Sequence, residues 1–288
     1  MTATATKTPT QPLQRLLNNY SVEVVTKDQK GRDSAGTVLR PGVEVFVANL
    51  PTETPDSLVE TCVQLRKAGL TPVPHIVSRN IRTAAGFENT MRRLSEEAGV
   101  TTCMVLGGDR DEAAGPYSQA LQVIESGVMQ KNGVKKIGIA THPEGHPRVP
   151  DEIMWPALAP KLEAARKSGL ETFLVSQFTF DPAPHIALAE RLRADGITAP
   201  LRVGVAGPAQ RTTLIKYALM CGVGASLRAL RERQDMAANM MTGETPEDLL
   251  RTVADAQEAN PALGIDSVHF FTFGSIPRSV DFAEALRA

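Results

Sequence analysis

The stretch Ser21-Val22-Glu23-Val24-Val25-Thr26-Lys27-Asp28-Gln29-Lys30 decides between two architectures. Its β-branched start reads as a short buried strand. In an open doubly wound sheet, the turn after the first strand carries a glycine-rich phosphate-binding fingerprint. Here that turn is Thr-Lys-Asp-Gln-Lys, with no GxGxxG, so a closed sheet is expected instead. Outward from this strand, further apolar runs at 43–49, 72–77, 102–107, 136–141, 172–180, 202–206 and 267–273 bring the strand candidates to eight. Amphipathic stretches at 55–69, 84–98, 116–130, 153–168, 183–195, 209–221, 246–258 and 278–287 read as helices. Alternation of this kind in a chain of 288 residues predicts an α/β fold, a (β/α)8 TIM barrel.

Local punctuation agrees with the alternation. Thr54-Pro55-Asp56 and Thr245-Pro246-Glu247 pair a capping hydroxyl with proline in the first turn. Gly69, Gly169 and Gly196 supply left-handed stops. Residues 222–244, opening Gly222-Val223-Gly224-Ala225-Ser226-Leu227, are expected to form a helical insertion on the catalytic face before strand eight. The expected organisation is a loosely ordered segment at 1–19 and one catalytic barrel over 20–288.

A hydrophobic content of 42% can bury a substantial core, and 31 basic against 32 acidic residues, well mixed, give a net charge of −1. That balance predicts neither nucleic acid nor an anionic membrane as partner, and favours a small molecule. Residues 1–11 lack the apolar core of a signal peptide, and no apolar run reaches the roughly 20 residues that cross a bilayer, so a cytoplasmic protein is expected. Cys62, Cys103 and Cys221 are isolated in apolar segments and read as inert thiols. The end at Ala288 leads us to expect no regulatory domain, and the outer helix faces leave homo-oligomerisation open.

In such a barrel, polar residues at the carboxyl ends of strands converge on one cavity. Glu23 is costly inside an apolar strand unless it faces a polar site, and a buried carboxyl can keep its proton and act as a general acid. His75 ends the third strand, and Gly107-Gly108-Asp109 ends the fourth, combining close backbone approach with an acceptor. The fifth strand leads into His142-Pro143-Glu144-Gly145-His146-Pro147, which lacks the spacing of common zinc sites, so no metal is expected. Gln177 is an amide in an apolar strand and suits a heterocycle, while Tyr217 follows the Gly207-Pro208 loop. Each also has an ordinary structural reading: a salt bridge for Glu23, a plain turn for Gly108-Asp109, a satisfied core amide for Gln177.

Taken in order, Val22-Glu23-Val24, Pro74-His75-Ile76, Leu106-Gly107-Gly108-Asp109, His142-Pro143-Glu144-Gly145-His146-Pro147, Ser176-Gln177-Phe178-Thr179-Phe180-Asp181 and His269-Phe270-Phe271-Thr272-Phe273 resemble the methylenetetrahydrofolate reductase family. The resemblance implies reduction of 5,10-methylenetetrahydrofolate to 5-methyltetrahydrofolate by NADH or NADPH, usually relayed through FAD. It implies Glu23 as general acid and Asp109 as the pterin-binding, redox-tuning carboxylate. Gln177 becomes the folate-binding amide, and Tyr217 an aromatic partner of the folate. Ser275 stands where the family carries a folate-contacting arginine, with Arg278 near enough to substitute. His75, Gly107, Gly108, Tyr117, His142, His146 and Arg166 become cofactor-site candidates. The flavin pattern departs at Gly107, where the family has arginine, and at Ala159, Leu162 and Ala165, where it has acidic, amide and basic groups. Those departures lead to the expectation that a reduced nicotinamide hands hydride to the folate directly. A non-redox folate- or pterin-binding module is the alternative. No nucleophile elbow, Walker loop or strand-end Schiff-base lysine supports a hydrolase, kinase or aldolase.

Overall fold

The computed structural model describes residues 10–224 and 245–288. Eight parallel strands close into a barrel in sequence order, β1 Ser21–Val25, β2 Glu44–Ala48, β3 Thr71–Val77, β4 Thr102–Leu106, β5 Lys136–Thr141, β6 Glu171–Ser176, β7 Leu201–Ala206 and β8 Ile265–Phe271. Closure is made where Ser21 and Val22 of β1 pair His269 and Phe270 of β8. The helices around it are α1 Gln11–Leu17, α2 Gln29–Val38, α3 Pro55–Lys67, α4 Ala84–Ala98, α5 Ala120–Glu125, α6 Val128–Lys131, α7 Asp151–Met154, α8 Leu158–Lys167, α9 Pro182–Ala194, α10 Arg211–Cys221, α11 Glu247–Ala259 and α12 Ile276–Arg287. No described helix is long and apolar enough to cross a membrane.

Period-2 alternation sorts each strand's side chains between two cores. In β1, Val22 and Val24 face outward into the layer beneath the helices, while Ser21 and Glu23 face the lumen. The lumen is solid below its mouth. Arg202 of β7 pairs with Glu44 of β2 and lies 4.0 Å over the Phe173 ring. Above that floor Phe46, Val73, Met104, Phe173 and Val175 interlock. Gly138 makes room for them, since a Cβ there would stand 2.6 Å from Met104 Sδ and 2.7 Å from Phe173 Cζ. The carboxyl end of the barrel is where a fold of this kind holds its ligand.

Four expectations change in detail. Residues 11–17 of the supposedly loose N-terminal segment form α1, because Leu13, Leu16 and Leu17 bury against α11, α12 and β8. A helix the periodicity did not suggest, α2, follows β1; Asp28 caps it by accepting from the Gly31 N–H at 2.9 Å. The stretch 116–130 divides into α5 and α6 at Gly127. The sixth strand stops at Ser176 rather than running to residue 180. Most of the proposed insertion at 222–244 lies outside the described residues.

Candidate active site

Glu23 is surrounded by protein with 23% of its side chain accessible, and burial pushes its pKa up to about 7. Its carboxyl lies 3.8 Å from His75 Nε2, too far for a hydrogen bond. Burial lowers the pKa of His75 to about 4, so a neutral imidazole faces a carboxyl that holds its proton through much of the neutral range. Beneath them His269 is fully buried, and its Nδ1 lies 2.9 Å from Ser21 Oγ. Burial, then the fields of His75 and Arg202, keep that ring neutral as well. Thr272 Oγ1 donates to the Glu23 carbonyl at 2.8 Å, tying the end of β8 to the acid-bearing strand.

Asp109 sits past the left-handed Gly108, whose φ is +98°. A Cβ at 108 would overlap Val77 Cγ1, so the turn needs glycine for both its conformation and its contact with β3. Arg148 donates to the Asp109 carbonyl and to the Asp111 carboxylate, fixing the loop after β4 to that after β5. Across the mouth, the Cys221 thiol is raised to about 11, first by burial and then by the fields of Glu23 and Asp109. Glu23 on β1 and Asp109 just past β4 both lie toward the carboxyl ends of their strands, the end where such barrels gather polar groups.

The His142 and His146 rings meet edge to face at 4.8 Å. The Arg148 N–H donates to His146 Nδ1 at 3.1 Å, which leaves the His146 proton on Nε2. Burial, then His146 and Lys161, lower His142 to about 4, and burial also lowers the largely enclosed Lys161. On the far side, Phe178, Phe271, Phe273 and Tyr217 form an aromatic wall, with Tyr217 stacked on Phe273 at 4.4 Å and 25°. Phe273 adopts φ 47°, and no other non-glycine among the described residues has positive φ, so packing holds a strained backbone there. Gln177 adjoins this wall, its Oε1 accepting from the Phe178 N–H at 3.0 Å.

A family model described as methylenetetrahydrofolate reductase matches residues 41–274. The chain belongs to the methylenetetrahydrofolate reductase family. An uncharacterised protein from Clostridium thermocellum that binds two copies of 5-methyl-5,6,7,8-tetrahydrofolic acid has the same fold, with a TM-score of 0.61, 10% identity, and coverage of 95% of this chain and 96% of that one. Dihydropteroate synthase from Thermus thermophilus aligns at a TM-score of 0.44 and 15% identity, over 94% of this chain and 95% of that one.

Among the positions singled out by likeness to the methylenetetrahydrofolate reductase family, Glu23, His75, Asp109, His142, His146, Gln177 and Tyr217 stand on the carboxyl-end side of the barrel. Ser275 and the exposed Arg278 lie at the start of α12, after β8. Tyr117 packs edge to face on Phe87 at 5.8 Å, against the outer core. The Gly107 carbonyl is taken by the Arg79 N–H at 3.0 Å and Ser78 Oγ at 3.0 Å. Arg166 does not join the set. It lies in the last turn of α8, exposed and bidentate to Glu163 at 2.8 Å. The eight steps from Leu158 to Arg166 carry it roughly 12 Å along the helix axis, away from the end that enters from the mouth. Two residues near the mouth went unassigned from sequence, His269 and Lys161. His269 had the same signal as Glu23, an ionisable group in an apolar strand; for Lys161, helix facing decides, and periodicity did not resolve it. Cys221, read as an inert thiol, is free with its pKa raised, in keeping with that reading.

Proposed function

We propose that this chain reduces 5,10-methylenetetrahydrofolate to 5-methyltetrahydrofolate with hydride from NADH or NADPH. The observation that carries the reading is Glu23, a carboxyl at the barrel mouth whose pKa is raised to about 7 by burial. Such a group can give its proton to N10 of the folate as the N10–methylene bond breaks. The electron pair on N5 then forms the N5 iminium, hydride adds to the iminium carbon, and the methyl group results. Asp109 supplies a carboxylate to accept from the pterin and to favour the cation; Gln177 supplies a two-faced amide, and Tyr217 a ring for stacking.

The residues on α8 fit a resident FAD poorly. Leu162 packs on the core, Ala165 is fully buried, Ala159 has no polar atom in its side chain, and Arg166 is paired with Glu163. Each missing charge-assisted phosphate contact costs about 1.5–3 kcal/mol of binding. Direct transfer from the nicotinamide is therefore the reading we favour, with His75, His142 and His146 as its neutral hydrogen-bonding neighbours. The non-redox reading, a folate-binding module, is favoured by the folate-binding neighbour of matching fold. An anaerobic assay with purified protein, NADH and 5,10-methylenetetrahydrofolate, with and without added FAD, separates these readings. We expect NADH oxidation matched by methyl-product formation without FAD, and no bound flavin in the visible spectrum. Stoichiometric bound flavin removes direct transfer; folate binding with no turnover under either condition removes the reductase.

A further inference from the structure

Strands β6 and β7 pair at Leu174↔Leu201 and Val175↔Arg202, then meet again at Thr179↔Val205. From 175 to 179 is four steps along the first chain segment, and from 202 to 205 is three along the second, so one residue is extra and the chain bulges around Ser176–Phe178. A bulge at a barrel rim re-aims the side chains beside it, and Gln177 is its middle residue. Within it the ladder bond is replaced: the Gly204 N–H donates to Ser176 Oγ at 2.8 Å. That hydroxyl lies 3.2 Å from Nδ1 of His185, a fully buried residue of α9. The Ser176 carbonyl presses so closely that a Cβ at 204 would overlap its oxygen, so the seam admits only glycine there.

The proton positions follow from counting partners. Ser176 Oγ already accepts from a backbone N–H, so its own proton is available to His185 Nδ1, and the ring then carries its proton on Nε2. The opposite tautomer would strand the serine proton as well as Nε2, which is buried without a partner. Burial lowers the His185 pKa to about 3, so this link is constant across the physiological range.

We propose that Ser176 and His185 are positioning residues, which fix the bulge so that the Gln177 carboxamide meets the bound folate. The inference rests on the reading of Gln177 as the folate-binding amide. Gln177 is otherwise held by its backbone, through its N–H to the Thr141 carbonyl at 2.8 Å and the local contact of Oε1 with Phe178 N–H. Losing the hydroxyl or the imidazole would free the strand to recover regular pairing, turning the amide away.

The test is a double-mutant cycle in the full chain, reading the Kd for 5-methyltetrahydrofolate by calorimetry with thermal melts alongside. Ser176→Ala and His185→Leu should each weaken binding about tenfold, the effect of one misplaced hydrogen bond. His185→Asn, whose amide oxygen can accept the serine proton, should recover most of that loss. In a Gln177→Ala background the same substitutions should lower the melting temperature as before yet leave Kd unchanged. The cycle can be run on either residue, so misfolding of one variant leaves the other. Equal weakening in both backgrounds, or none in the parent, overturns the inference while the folate reading stands. If Gln177→Ala alone binds like the parent, the folate reading of that amide fails first and takes the inference with it.

Discussion

Glu23 concentrates the chemistry because a carboxyl in an apolar strand has to be paired, neutral or functional, and its neighbour His75 is itself neutral. As general acid it must be protonated, so turnover should fall as pH rises through about 7. Glu23→Gln should lose at least about 100-fold in kcat, with 5-methyltetrahydrofolate affinity changed by less than about threefold. Steady-state kinetics across pH beside a binding titration checks both; a Gln variant with near-normal kcat would remove Glu23 from the proton transfer. This residue was legible in sequence because its cost is local to one strand. Lys161 was not, because whether a helical lysine turns inward or toward a mouth depends on how α8 docks. Phe273 was unreadable for a related reason: its positive φ goes with tertiary packing, here the stack with Tyr217, and with no preference of phenylalanine.

Elements that carry regular signals were legible, and those that break them were not. The capping box at Thr54 and Ser57 starts α3 where hydroxyl and proline indicated, while Thr83 caps α4, whose start had rested on periodicity alone. Helix α2 escaped notice because Gly31 and Gly36 dilute its pattern, although Asp28 was a cap in plain view. The bulge after Ser176 escaped because an apolar run through Phe180 looks the same whether the ladder continues or slips by one. Helix α1 is the most consequential miss, since its apolar face seals β8 and two flanking helices. Leu17 is fully buried there, so Leu17→Ala should cost about 2–5 kcal/mol, well above a surface change. Urea unfolding of that variant measures it; a cost below about 0.5 kcal/mol would mean the helix contributes little and the segment was loose after all.

At the scale of the molecule, the alternation of strands and helices specifies the barrel, and the barrel gathers ionisable groups that lie far apart in sequence. What the sequence cannot display is their protonation, because desolvation is a property of the closed fold. His75, His142, His185 and His269 are all held below their ordinary range by burial, whereas Glu23 is held above its own. The signs oppose. Between pH 5 and 6 each of the four histidines takes up a proton when the chain unfolds, so stability falls as pH drops below the unfolded value near 6.5. Glu23 does the reverse: the folded chain keeps a proton up to about 7 that the unfolded chain releases near 4.5, so its contribution falls as pH rises through that window. The histidine uptakes, to which His146 adds in the same direction, outnumber the one release from Glu23, so unfolding between pH 5 and 6 takes up protons on balance, read from the pH dependence of urea stability. Glu23→Gln removes the release and should raise the uptake by about one proton, steepening acid sensitivity while stabilising the fold at pH 8 relative to the parent. An unchanged uptake in the Gln variant would mean that Glu23 is ionised in the folded barrel and has no proton to give.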